Sequence, residues 1–189
     1  MNSDKILLDL IESAIEARAH FQIRWALANE ARPKHVATMN LFPNFFIAMQ
    51  RAHFDSMAVN FGHLFDERSD SSSFKRYLRV ARNEFTSGEL SSYRKRVDQL
   101  SRSAKDFLDI RHKTVAHQDA TLSEQQVFQT ADVAPDFNRD LIENSAKFVE
   151  EFRCRKGWTS GIFESQRYSE ATLSMLQVLE QFRGMRRKA

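Results

Sequence analysis

The stretch Asp4–Ala28, DKILLDLIESAIEARAHFQIRWALA, places apolar residues three and four positions apart without a break. Leu7, Leu10, Ala14, Ala17, Phe21, Trp25 (or Arg24 beside it) and Ala28 fall on one stripe of a helix. Ser3 or Asp4 offers an N-cap, and Pro33 marks a stop. The same period returns further along the chain. A second helix is expected from Pro43, a residue tolerated in a first turn, to about Glu67. After the serine-rich loop Ser69–Ser73 a third, shorter helix reaches about Glu84, and Thr86-Ser87-Gly88 breaks the chain. From Glu89 to about His117 a long pattern puts Tyr93, Val97, Leu100, Ala104, Phe107 or Leu108, Arg111 and Val115 on one side. Gln118 to Ala134 lacks periodicity and reads as a loop. Pro135 opens a helix carrying Phe137, Leu141, Phe148 and Phe152, which Gly157 ends as a C′ residue. A last helix carries Tyr168, Thr172, Met175, Leu179 and Phe182 and frays into a basic tail over 183–189.

Composition agrees with this pattern. With 5 Gly and 3 Pro in 189 residues, the chain cannot make the many turns of a β-sandwich or barrel. A hydrophobic share of 42% and a charged share of 28% exclude a wholly disordered chain. The expected fold is all-α: an antiparallel bundle of about five to six helices forming a single domain over 1–189.

The single cysteine, Cys154, excludes an internal disulfide and the small secreted scaffolds that depend on one. The first residues lack a basic leader region, and no apolar run nears the roughly 20 residues that span a bilayer, so a cytoplasmic protein without membrane contact is expected. The net charge of +3 does not announce a nucleic-acid binder. Its cations are grouped, however: Arg76, Arg79 and Arg82; Arg94, Lys95 and Arg96; Arg153, Arg155 and Lys156; Arg183, Arg186, Arg187 and Lys188. These groups permit an RNA partner without requiring one.

The segment with the most chemistry is Asp109-Ile110-Arg111-His112-Lys113-Thr114-Val115-Ala116-His117-Gln118-Asp119. Arg111 falls on the apolar stripe, where a charge is costly unless paired. His117 follows six residues later. An Arg and a His brought to one point can bind a phosphate and move a proton, because Arg keeps its planar charge and His titrates near neutrality. The structural alternative makes Arg111 an ion-pair partner of Asp66 or Asp109, and His117 a cation at a helix C-terminus.

Arg111-x5-His117, with His112 in the polar position after the Arg, resembles the Arg-x(4–6)-His motif of the HEPN superfamily. Phe61-Gly62-His63-Leu64-Phe65-Asp66-Glu67, the serine-rich turn after it, and the Ala-His-x-Asp ending at Asp119 resemble its abortive-infection AbiU-type branch. The resemblance runs from about Asp4 to Phe152. It implies a helical bundle that dimerises and, as in many members, cleaves RNA without a metal or other cofactor. By that analogy His117 is the general base or acid, Arg111 steadies the pentacoordinate phosphate, and His112 orients either one. Some members are toxins held by a nucleotidyltransferase antitoxin that modifies a Tyr two residues after the motif His. Asp119 occupies that position here, a departure that speaks against this control and leaves the ribonuclease reading standing.

A second feature lies on the second helix, where His53, Ser56, Asn60, His63 and Glu67 form one polar stripe. The stripe is either a solvated side or, with Asp66, the lining of a groove beside the motif helix: His53, Asn60, His63 and Asp66 are the candidates. His63 with Glu67 has no third ligand at a fixed spacing, so no metal site is expected. The leading reading is a HEPN-type endoribonuclease, a toxin or phage-defence component with an antitoxin or other partner protein. The alternative is a catalytically silent helical module that dimerises and binds protein or RNA. A homodimer is expected from the apolar surface of the motif and second helices. Six residues of straight helix turn through about 600°, so Arg111 and His117 point about 120° apart, and a working site is expected to draw one from each chain.

Overall fold

The computed structural model of the chain describes residues 2–111, 135–159, 161 and 163–186, with Arg32, Asp106, Phe107, Ile110, Arg111, Pro135, Asp136, Phe137, Met185 and Arg186 described by backbone alone. Seven α-helices lie among these residues: α1 Ser3–Trp25, α2 Arg32–Met39, α3 Pro43–Leu64, α4 Phe74–Val80, α5 Ser87–Arg111, α6 Pro135–Arg155 and α7 Arg167–Arg186. The fold is an all-α bundle. Helix α1 packs on α3 and α6, α5 closes against α3, α4 and α6, and α7 lies over α1 and α2.

The stripe of α1 is the spine of the core. Leu7, Leu10, Ala14, Ala17 and Phe21 are all buried, against Phe54, Met57, Phe61 and Leu64 of α3 and Leu141, Phe148 and Phe152 of α6. Around Phe152 the rings of Phe148 and Tyr77 stand 4.7 Å away and that of Tyr93 5.2 Å, so one aromatic cluster joins α4, α5 and α6. Each fully buried ring contributes about 1.5–3 kcal/mol by its removal from water. A smaller cluster of Leu27, Met39, Phe46 and Leu176 seats α7 on the other end. Arg18, itself buried, ties these layers together: it donates to Glu143 at 2.8 Å and to the carbonyl of Ser165 at 2.8 Å.

Several boundaries differ from the sequence expectation, each for a local reason. The N-cap of α1 is Asn2, whose side chain accepts from the Asp4 amide at 3.2 Å. Ser3 and Asp4 serve elsewhere: Ser3 donates to Glu84 at 2.6 Å, and Asp4 pairs with Lys156 at 2.7 Å. The helical path does not stop before Pro33. It passes through a π-turn, Ala26–Glu30, in which the Ala31 amide donates to the Ala26 carbonyl at 2.7 Å, and resumes as α2 with Pro33 in its first turn. Proline is tolerated there because first-turn amides have no intrahelical acceptor. Helix α3 ends at Leu64, short of Glu67, because the Asp66 carboxylate accepts from the Arg68 amide at 2.9 Å and folds the chain into a turn. Helix α5 starts at Ser87, across the expected break, with Thr86 as its cap.

At the end of α6 the expectation holds. Gly157, at φ 70°, follows the helix; its amide donates to the Cys154 carbonyl and that of Trp158 to Arg153, satisfying the last carbonyls. On α7 the buried line is Ser169, Thr172 and Leu176, whereas Phe182 is solvent-facing. The expected extension of the motif helix to His117 and the loop Gln118–Ala134 lie outside the described residues.

Candidate functional site

Helix α5 carries the motif, and its start is fixed by a reciprocal cap. The Glu89 amide donates to Thr86 Oγ1 at 3.3 Å, while Glu89 Oε2 accepts from the Thr86 amide at 2.8 Å. The Thr86 amide, helped by the Arg155 guanidinium 2.6 Å from Oε1, holds the Glu89 carboxyl at about 2, well below its ordinary value. With its start pinned, α5 turns Tyr93, Val97, Leu100, Ala104 and Leu108 toward the core. Arg111 is the next position of that series and the last residue of the helix as described. The Arg111 side chain, His112, His117 and Asp119 lie outside what the structure describes.

Beside the C-terminal half of α5 an open cleft of about 780 Å³ approaches this position. One wall is the end of α3 and the turn after it, with Phe65, Asp66 and Glu67; the other is α5, with Arg102, Lys105 and Asp109. The carboxylate of Asp66 accepts from Arg68 Nη2 at 2.7 Å, and Lys75 pairs with Glu67 at 2.6 Å. Charge in this wall is therefore organised as short-range pairs, while Arg102 and Lys105 stand exposed on α5.

The four groove candidates separate along α3 and the turn after it. Asp66 lines the cleft; His53, Asn60 and His63 are not among its lining. Asn60 donates back to the Ser56 carbonyl of its own helix at 3.0 Å, and His63 is exposed near the helix end. His53 meets His20 of α1 instead, Nδ1 to Nδ1 at 2.7 Å, with the two rings 5.0 Å apart. Only one of the two nitrogens can donate across that gap. Burial lowers the pKa of both; Glu16, 3.6 Å from His20 Nε2, opposes the shift at His20, and His20 deepens it at His53. Sequence periodicity on one helix gave no sign of a partner 33 residues earlier.

The basic groups divide likewise. Arg153, Arg155 and Lys156 are structural: they pair with Glu150 at 2.8 Å, Glu89 at 2.6 Å and Glu84 at 2.6 Å. Arg96 is held by Glu151 at 2.5 Å with its guanidinium 4.6 Å over the Phe148 ring. Sequence periodicity did not single out Asp98, Arg102 and Lys105, and Asp109 entered only as an ion-pair partner for Arg111; all four line the cleft. Their spacing of four, three and four was the available signal, and it looks the same as that of any solvated helix face. Among the described residues, no three His, Cys, Asp or Glu side chains gather as a metal-holding group. No helix among them is long and apolar enough to cross a membrane.

No curated protein and no solved structure matches the chain. The family model described as AbiU2 matches residues 5–152, a span that contains the cleft, Arg111 and His117 and covers more than three quarters of the sequence. The chain thus belongs to the AbiU2 family of the HEPN superfamily, and its matched span is an abortive-infection-related HEPN domain.

Proposed function

We propose that the protein is a metal-independent endoribonuclease of the HEPN type, acting as a toxin or defence component under the restraint of a partner protein. The observation that carries this reading is the occurrence of Arg111 and His117, at the superfamily's motif spacing, within a chain that belongs to the AbiU2 family. The ribose 2′-oxygen attacks the adjacent phosphorus as its proton passes to a base. The bond from phosphorus to the 5′-oxygen breaks, and that oxygen takes up a proton, leaving a 2′,3′-cyclic phosphate and a 5′-hydroxyl. His117 is the proton-transfer group, because histidine is the side chain whose unperturbed charge change falls nearest neutral pH. Arg111 offers its planar fork to the charge that builds on the pentacoordinate phosphorus, and His112 orients one of the two.

The protein acts as a homodimer in this reading, because the offset expected from the sequence between Arg111 and His117 is relieved when each site takes them from different chains. Incubation of the purified protein with total RNA, followed by gel electrophoresis, tests the activity. Shortened RNA with the wild-type chain and intact RNA with His117→Ala is expected. Equal shortening by both would overturn the assignment.

A further inference from the structure

Helix α7 lies beyond the span 5–152 that the AbiU2 model matches, and its two sides are unusual. On the inner side Ser169, Thr172 and Leu176 are buried, and Leu173 and Leu179 pack on the cluster of Leu27, Met39 and Phe46. Between positions 171 and 185 the charged residues are Glu180 and Arg183. Both belong to the inner side, because Glu180 meets His35 of α2 at 2.6 Å and Arg183 at 3.4 Å.

The outer side is left without charge. Ala171, Ser174, Gln177, Val178, Gln181 and Phe182 are all exposed, Val178 at 50% and Phe182 at 63%. The exposed sides of α1, α5 and α6 instead carry Glu12 and Glu16, Arg102 and Lys105, Arg139 and Lys147. A surface helix ordinarily turns charge to water, whereas one with apolar residues on both sides is a covered helix.

The spacing of the exposed residues identifies the cover. Ala171, Ser174 and Phe182 lie within about 40° of Val178 around the helix, so the four form one line. An identical helix turned antiparallel about a two-fold axis at Val178 sets Ser174 opposite Phe182 and Ala171 opposite position 185, a methionine. Position 170, a glutamate, then stands opposite position 186, an arginine. Small residues meet large ones, and unlike charges meet at both ends. A parallel pair would set Phe182 on Phe182 and Glu170 on Glu170. A bilayer would leave the amides of Gln177 and Gln181 without partners, whereas an identical helix brings each a donor and an acceptor.

We propose that the outer side of α7 pairs antiparallel with α7 of a second copy of the chain, about a two-fold axis at Val178. The contact is separate from the pairing at the end of α5 and does not depend on the ribonuclease reading. A chain that makes both two-fold contacts assembles beyond a dimer, into a tetramer or an open string. One helix pair buries less than the about 800 Å² a side of a standard interface, so the contact is weak and is read at high concentration.

Full-length wild-type protein and Val178→Glu are compared by sedimentation equilibrium at about 100 µM. The substitution sets two carboxylates face to face on the axis, so its mean mass should be about half that of the wild type. Circular-dichroism melts of the two should coincide, because Val178 is exposed; Phe182→Gln stands in if Val178→Glu does not fold. Orientation is read by cross-linking in a Cys154→Ser background under mild oxidation. Val178→Cys should join two chains, and Glu170→Cys should not, because the two copies of position 170 lie about 24 Å apart in the antiparallel register. Equal masses for wild type and a folded variant, cross-linking at both positions, or cross-linking at neither would overturn the pairing. A wild type that shows no extra mass but pellets with phosphatidylserine–phosphatidylcholine vesicles would assign the face to a lipid surface and overturn it too. RNA cleavage by Val178→Glu should equal that of the wild type, so the ribonuclease reading is judged apart from this contact.

Discussion

His20 and His53 share one short contact, and its chemistry fixes how stability responds to acid. Both pKa values lie below the ordinary 6.5, first because of burial. The unfolded chain therefore takes up protons at these sites before the folded chain does. The stability linked to the pair is present above pH 6.5 and is lost as pH falls through the lowered folded values. The melting temperature of the wild-type protein should decline as pH is lowered from about 7.5 toward 5, and the decline should be shallower in His53→Gln. Parallel pH curves for the two proteins would show that the pair does not titrate as described. The Arg18 guanidinium is a different case. It is buried and bonded to both Glu143 and Ser165; the Ser165 carbonyl also accepts from Gln22, so the loss of Arg18 falls on the Glu143 carboxylate.

Helix α5 is an element set by its start. Replacing Thr86 with Ala removes the acceptor for the Glu89 amide and should cost about 1 kcal/mol, read as a lower urea midpoint with an unchanged m-value. Because the folded Glu89 carboxyl titrates near 2 and the ordinary one near 4.5, its support for this cap is complete above 4.5 and disappears as pH falls toward 2. The helices themselves were legible in the sequence because a stripe such as Leu7, Leu10, Ala14, Ala17 and Phe21 buries one face with the helical period. Gly157 was legible because a left-handed turn favours glycine. Helix α2 was not, since Pro33 reads as a stop unless the π-turn ahead of it is known. Nor was the cleft: Asp98, Arg102 and Lys105 look like a solvated face until the end of α3 is set opposite them. Of the groove candidates, His53 belonged to a contact between helices, which periodicity along one helix cannot report.

At the scale of the molecule, two faces compete to be the contact of the proposed dimer. Leu41, Phe42, Phe45 and Ile47 leave an exposed apolar corner at the start of α3, with Ile47 66% exposed. That corner lies about 25 Å along α3 from the cleft, so a two-fold axis through it would keep the two clefts far apart. A shared site instead requires pairing at the C-terminal end of α5. Arg111→Ala and His117→Ala proteins, inactive alone, should regain activity when mixed with subunit exchange confirmed; a dead mixture would exclude sites shared between chains. The most direct measurement of all is the chemistry of the cut ends. RNA incubated with the protein in EDTA should yield 2′,3′-cyclic phosphate and 5′-hydroxyl ends with the wild-type chain, and at least about 100-fold less with either Arg111→Ala or His117→Ala. Cleavage that EDTA abolishes, or cyclic-phosphate ends produced equally by the His117→Ala chain, would contradict a metal-independent HEPN ribonuclease.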